Sequence, residues 1–195
     1  MHEKNSELVL RLKKGDESAF EEIFEKYKVK AVRTAYLITG NRELAEDIVQ
    51  ETFIESFRTI QNLKEPRYFE TWFFKILTHI AWKYSKKEKR LVPVENIFES
   101  EKIMSQQQED YNFINEEKSL QLSESLDKLE VKQKTAIYLY YYGGFSISEI
   151  AKIMGCFEGT VKSRLYTARK NLKKSLQRGS NYKKEDMKDA IAYKF

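Results

Sequence analysis

Cysteine is nearly missing from this chain of 195 residues: Cys156 stands alone. That excludes an intramolecular disulfide and fits a reducing compartment. Proline and glycine are scarce too, at 2 and 7. Few turns interrupt the chain, and apolar residues recur at helical spacing along most of it, which predicts an all-α protein. The 2 histidines and the cysteine show no metal-ligand spacing. No nucleophile elbow, phosphate-cradling glycine loop, zinc signature or paired-carboxylate constellation occurs. An enzyme is therefore not expected, and neither is a metal, a cofactor or a catalytic residue. No apolar run is long enough for a membrane span and no signal-peptide pattern is present, so the expected location is cytoplasmic without membrane insertion.

Charge is modest in sum and uneven in place. The net charge is +5, from 35 Lys+Arg against 30 Asp+Glu. Lys83 to Arg90 holds five basic residues and one acid. Leu91 to Asp127 holds nine acids and two lysines, a net of −7, and Lys128 to Arg178 holds eleven basic residues and three acids, a net of +8. Two basic blocks flank an acidic one. Basic blocks suit phosphates, whereas the acidic stretch fits a solvated spacer as well as it fits a basic channel.

The sharpest motif runs from Ser146 to Leu172. Ser146, with Glu149 three residues on, predicts a capping box, and Ile147, Ile150, Ala151 and Met154 give the helix behind it an apolar stripe. Gly155 supplies the positive φ of a turn. Val161, Leu165, Ala168 and Leu172 then mark the buried face of a second helix, whose other face carries Lys162, Ser163, Arg164, Tyr166, Thr167, Arg169 and Lys170. Many glycine-turn hairpins are only packing units, and many basic faces are only solvated. Here the capping box, the small Ala151 and the basic helix coincide, which favours a helix-turn-helix with its second helix in a major groove. Phe157 stands at the expected cap of that helix, where Ser or Thr is better, and is expected to staple the turn to the core.

Punctuation predicts the other elements. A short helix covers Leu8 to Lys14. Asp16 caps a second helix, with Phe20, Ile23, Phe24, Tyr27 and Ala31 facing a core, and Gly40-Asn41 ends it. A third runs from Arg42 to about Ile60 with Ala45, Ile48, Val49, Phe53 and Phe57 inside. A loop from Gln61 to about Phe69 leads to a fourth, aromatic-rich helix over about Glu70 to Lys89, broken by Pro93. Leu122, Leu126 and Leu129 open a further helical region containing Ala136, Ile137, Leu139, Tyr140 and Tyr141, and Gly143-Gly144 turns the chain into the motif above.

A second informative block is Ala45-Glu-Asp-Ile-Val-Gln-Glu-Thr-Phe53. Asp47, Gln50 and Ile54 share one helix face, although an ordinary amphipathic helix with its polar side in water has the same spacing. Downstream follow Phe69-Glu-Thr-Trp-Phe-Phe-Lys-Ile-Leu-Thr-His79, the basic run, and the Gly159-Thr-Val-Lys-Ser-Arg164 helix. In this order the blocks resemble the extracytoplasmic-function (ECF) sigma factors of the sigma-70 family, the smallest promoter-specificity subunits of bacterial RNA polymerase. The resemblance covers roughly residues 7 to 177.

The resemblance implies two helical domains. Residues 7–91 correspond to sigma region 2, 92–119 to an acidic flexible linker, 120–177 to sigma region 4, and 178–195 to a charged tail. It implies that Asp47, Gln50 and Phe53 face or shape the contact with the polymerase clamp coiled coil, with the flap as a second contact. Leu63, Lys64, Arg67, Tyr68 and His79 are then expected around a flipped minus-ten base, with Lys83, Lys86 and Lys87 on nearby phosphates. Aromatics from Tyr68 to Tyr84 offer stacking surfaces, but Trp72, Phe73 and Ile76 at helical spacing fit packing better. Thr160, Lys162, Ser163, Arg164, Tyr166 and Thr167 are expected at the minus-thirty-five element, because Arg and Lys take guanine edges while Ser and Thr take several bases. Arg169, Lys170, Lys173 and Lys174 fit phosphate or solvent.

The implied partners are core RNA polymerase, promoter DNA and an anti-sigma factor, often anchored in the membrane. The acidic linker is expected to thread the polymerase's basic channels. His79 stands where Asn is frequent and Lys83 where Asp is, so the base preferences are the chain's own. The rival reading is a stand-alone helix-turn-helix regulator that binds operators without polymerase.

Overall fold

The computed structural model of the chain describes residues 2–88, 122 and 124–178, with helices and turns and no strand among them. The acidic segment 92–119 with Pro93, the basic residues Lys89 and Arg90, and the tail from 179 lie outside the described residues, as do the side chains of Lys86 and Lys87.

Helix α1 (His2–Lys13) starts six residues before the apolar pattern predicts. Its first turns are held by polar docking, which leaves no hydrophobic signature: Asn5 Nδ2 donates to the Tyr27 hydroxyl at 2.7 Å. At the head of α2 (Glu17–Thr39) the Asp16 carboxylate accepts from the N–H groups of Ser18 and Ala19, at 3.0 and 3.3 Å. Gly40 closes α2 in the left-handed region and donates to the Tyr36 carbonyl at 2.7 Å. Helix α3 (Arg42–Thr59) begins where Asn41 Oδ1 accepts from the Leu44 N–H at 3.0 Å.

The predicted loop after α3 is ordered by two single 3₁₀ turns, Ile60–Asn62 and Pro66–Tyr68. Between them the Leu63 side chain is buried and its carbonyl accepts from the Lys13 ammonium, while Gln61 Nε2 donates to the Lys13 carbonyl at 2.8 Å. Helix α4 (Phe69–Glu88) then lays Phe69, Phe73, Phe74 and Leu77 into the centre. Phe53 meets Phe73 at 4.9 Å and Phe24 at 4.8 Å between ring centroids, and Tyr27 meets Phe69 at 5.5 Å. These rings carry much of the unit's stability, since truncating a buried Phe to Ala costs about 3–5 kcal/mol.

The second unit has α5 (Val131–Tyr141), α6 (Ile147–Met154) and α7 (Glu158–Arg178). Leu122, Leu126 and Leu129 are buried ahead of α5, as the pattern predicts. Within α5 Ala136, Ile137, Tyr138 and Leu139 are buried, while Tyr140 lies at the surface. Lys134, almost fully buried, pairs with Asp127, and Ser125 Oγ donates to Ser175 Oγ at 2.8 Å. At Gly143 the chain passes so close to itself that a Cβ would sit 2.6 Å from both the Leu139 carbonyl and the Phe145 ring.

The two units pack on each other, α4 against α6 and α5, and α2 against α5. Phe145 meets Phe74 edge-on at 5.1 Å, and Lys30 Nζ lies 4.4 Å from the Phe145 centroid. The Arg33 guanidinium lies over the Tyr142 ring at 4.5 Å. A cleft of about 320 Å³ remains along this seam, lined by Lys26, Lys30, Arg33, Tyr138 and Tyr142 among others.

Candidate nucleic-acid and polymerase interfaces

The helix-turn-helix is built as its residues dictate. Ser146 and Glu149 form the reciprocal capping box, with Ser146 N–H donating to Glu149 Oε2 at 2.9 Å and Glu149 N–H to Ser146 Oγ at 3.3 Å. Gly155 sits at φ 60° and Cys156 N–H donates back to the Ala151 carbonyl at 3.0 Å, which closes α6. Val161, Leu165, Ala168 and Leu172 are buried, as predicted, and Ile153 and Leu176 join them.

On the other face Lys162, Ser163 and Tyr166 are exposed, Tyr166 to 69%. Thr160, Arg164 and Thr167 are half-buried. Arg164 turns back on the motif, its Nη1 3.4 Å from Cys156 Sγ. Arg169, expected on phosphate or in solvent, lies over the rings of Tyr140 and Tyr141 at 5.6 and 5.5 Å. Phe157 does not staple the turn. Its carbonyl accepts from the N–H groups of Thr160 and Val161, placing it at the head of α7, and its side chain is 87% exposed. The apolar floor under the turn is already filled by Ile153, Met154 and Val161, so the ring has no seat.

The minus-ten candidates divide. Lys64, Arg67, Tyr68, His79 and Lys83 are exposed. Leu63 is 5% exposed, so it supports the surface from beneath rather than forming it. Arg67 pairs with Glu65 at 2.8 Å and lies over the Tyr68 ring at 4.9 Å. The helix-turn-helix reaches this same surface. Lys152 Nζ of α6 is 4.9 Å from the Tyr68 centroid, and a Cβ on Gly155 would lie 3.9 Å from His79 Nε2. His79 Nδ1 is 2.7 Å from the Lys75 carbonyl, which can only accept, so Nδ1 donates and Nε2 lies on the side of the α6–α7 turn at Gly155. Trp82 packs edge-on against His79 at 5.3 Å. The Tyr84 hydroxyl donates to Glu51 Oε2 at 2.9 Å, a bond that raises its pKa above the usual phenol value.

On α3, Asp47, Gln50 and Ile54 are exposed together, Ile54 to 67%. Phe53 is not part of that face: it is 4% exposed and held among Phe24, Phe57 and Phe73. Helical phase turns it inward from its polar neighbours. Two residues assigned to the core contribute to the surface instead. Phe20 is exposed and meets half-buried Phe57 at a tilt, 4.1 Å between centroids, extending Ile54 into an apolar patch beside Asp47 and Gln50. The signal was present, because Gln50, Ile54 and Phe57 are spaced i, i+4, i+7 and lie on one stripe.

A capped helix-turn-helix and a basic aromatic helix on one helical scaffold, beside an exposed patch of Asp47, Gln50, Ile54 and Phe20, are the arrangement of a nucleic-acid-binding protein. The model for Sigma-70 region 2 matches residues 23–91 and that for Sigma-70 region 4 matches residues 119–172. The ECF RNA polymerase sigma factor SigW of Bacillus subtilis (strain 168) is 32% identical over 182 residues, covering 87% of this chain and 95% of its own. The ECF RNA polymerase sigma-E factor of Haemophilus influenzae is 31% identical, covering 87% of this chain and 94% of its own. The chain belongs to the ECF sigma factors of the sigma-70 family. Among solved structures, CnrH in complex with the cytosolic domain of CnrY has the same fold, with TM-score 0.69 and 19% identity over 90% of this chain and 99% of that one. The sigma factor RpoE in complex with the anti-sigma factor NepR, from Bartonella quintana, gives TM-score 0.61 and 23% identity over 80% and 98%.

Proposed function

We propose that the chain is an RNA polymerase sigma factor. It binds core polymerase through the α3 patch of Asp47, Gln50, Ile54, Phe20 and Phe57 and selects promoters by two separated DNA contacts. The observation that carries this reading is the coexistence of the helix-turn-helix with the α3–α4 surface in a member of this family. Lys64, Arg67, Tyr68, His79 and Lys83 of region 2 meet the minus-ten element. There an unpaired base stacks on an aromatic face, and the cations hold phosphates without reading sequence. Lys162, Ser163 and Tyr166 enter the major groove of the minus-thirty-five element with Thr160 and Thr167 beside them, and Arg164 joins by leaving Cys156.

The chain performs no chemistry of its own; RNA synthesis belongs to the polymerase. It works in the cytoplasm and is held inactive by an anti-sigma factor. Support for that partner comes from the solved complex of the sigma factor RpoE with the anti-sigma factor NepR, which shares this fold. The packed arrangement is the polymerase-free state. In it Lys152 lies over Tyr68 and the α6–α7 turn sits beside His79, so the helix-turn-helix covers part of the minus-ten surface. Docking on core polymerase separates them. The stand-alone regulator is disfavoured because it leaves the exposed Asp47, Gln50 and Ile54 face without use.

The test is binding of the full chain to core polymerase, read by co-migration in size-exclusion chromatography. The wild type co-migrates, and Asp47→Arg with Gln50→Ala does not while its circular dichroism spectrum is unchanged. Co-migration of the double variant at wild-type affinity contradicts the assigned face.

A further inference from the structure

Phe157 is the most exposed of the chain's large apolar side chains among the described residues, and it stands at the head of the groove-entering helix. An aromatic ring in water at the cap position of a helix serves no stability purpose, because Ser or Thr there would satisfy a free N–H group. The adjoining residue, Glu158, is anionic and exposed. An apolar ring followed by a carboxylate cannot hold a DNA phosphate. Base edges suit the pair well: the thymine 5-methyl group takes apolar contact, and the cytosine amino group donates to a carboxylate. In a helix-turn-helix the residues at the start of the second helix are those that meet base edges. Backbone bonds from Thr160 and Val161 to the Phe157 carbonyl, at 2.9 and 3.2 Å, fix its backbone at that end.

We propose that Phe157 is a specificity-determining residue that reads the 5-methyl group of a thymine in the minus-thirty-five element. This rests on the reading of the chain as a promoter-selecting subunit. Covering one methyl group is worth about fourfold in discrimination at the usual transfer value. Ser or Thr at the cap has no comparable apolar face, so the preference belongs to this chain's own residue.

The probe is a promoter library randomised over the distal element and made in two forms, with thymidine or with deoxyuridine in the randomised block. Deoxyuridine removes only the methyl group. Holoenzyme reconstituted from core polymerase and the full chain transcribes both libraries, and the transcribed templates are sequenced. The wild type is expected to enrich thymine at one position of the first library and to lose about fourfold of that enrichment with deoxyuridine. Phe157→Ser, a better cap that keeps the fold, is expected to enrich both libraries equally at that position. Equal enrichment of both libraries by the wild type overturns the proposal, as does an equal loss in wild type and variant. Absence of any transcript above core polymerase alone overturns the promoter-selecting reading as well, so the two failures are distinct.

Discussion

The indole N–H of Trp82 donates to Thr135 Oγ1 at 3.0 Å, joining the helix of the minus-ten candidates to α5 of the unit that bears the helix-turn-helix. The Thr135 hydroxyl donates in turn to the Val131 carbonyl at 2.7 Å, so it is committed on both sides. Around this bond the seam combines the edge-on Phe74–Phe145 contact with cations on rings: Lys30 over Phe145, Arg33 over Tyr142 and Lys132 over Trp82. The cation–ring contacts are individually weak.

Lys30→Ala with Arg33→Ala removes two of these contacts, together with the Lys30 ion pair to Glu70 and its place over the Phe74 ring. At about 0.5–1 kcal/mol each, their loss shifts the equilibrium between packed and separated units roughly tenfold. Small-angle X-ray scattering of the free chain should then show a larger radius of gyration than the wild type. An unchanged radius would contradict a seam held by cations on rings.

Phe53 and Asp47 sit six residues apart on α3 and should fail in different ways. Phe53→Ala opens a cavity among Phe24, Phe57 and Phe73 and should cost about 3–5 kcal/mol in denaturant unfolding. The variant Asp47→Arg with Gln50→Ala changes exposed side chains only, so stability should move by less than about 0.5 kcal/mol. Its loss should appear in polymerase affinity, at about 2 kcal/mol or some thirtyfold.

Asp127 belongs by sequence to the acidic block, yet its carboxylate receives the almost fully buried Lys134 ammonium. Asp127→Ala strands that charge, and the region-4 unit should lose about 3–5 kcal/mol in chemical denaturation. A change below about 1 kcal/mol would show that Lys134 reaches water instead.

Acid should weaken the α2 cap in a defined window. The Asp16 pKa is lowered from 3.8 to about 2, chiefly by the Ser18 hydroxyl and then by Arg11 and the Ala19 N–H. A value depressed in the folded state stabilises folding above the unfolded value, and that contribution disappears as pH falls through the folded one. Asp16→Asn keeps the cap and lacks the charge. The gap in melting temperature between wild type and this variant should be full at neutral pH and close between pH 3.8 and about 2. A gap independent of pH would contradict the assignment.

Much of the fold was legible because the signals were local. Asp16, Asn41, the Ser146–Glu149 box, Gly40 and Gly155 each fix a helix end through their own backbone bonds, and those ends stand where the sequence places them. Elements held by distant partners were not legible. The early start of α1 depends on Asn5 reaching Tyr27, and the order between α3 and α4 depends on Lys13 and Gln61. The candidate surfaces followed the same division. Exposed Lys162, Tyr166, Asp47 and Gln50 follow from helical phase. Buried Leu63 and outward Phe157 follow from packing between elements, which spacing along one helix does not encode. The seam between the units leaves no sequence pattern at all, because a Lys over a Phe ring reads as an ordinary surface cation.

Transcription in vitro from promoter DNA, with purified core polymerase and the full chain, decides whether the chain selects promoters for polymerase. Transcripts from defined start sites should appear only when both are present, and the chain alone should have little DNA affinity. Tight operator binding by the chain alone, with no affinity for polymerase and no new transcript, would contradict it.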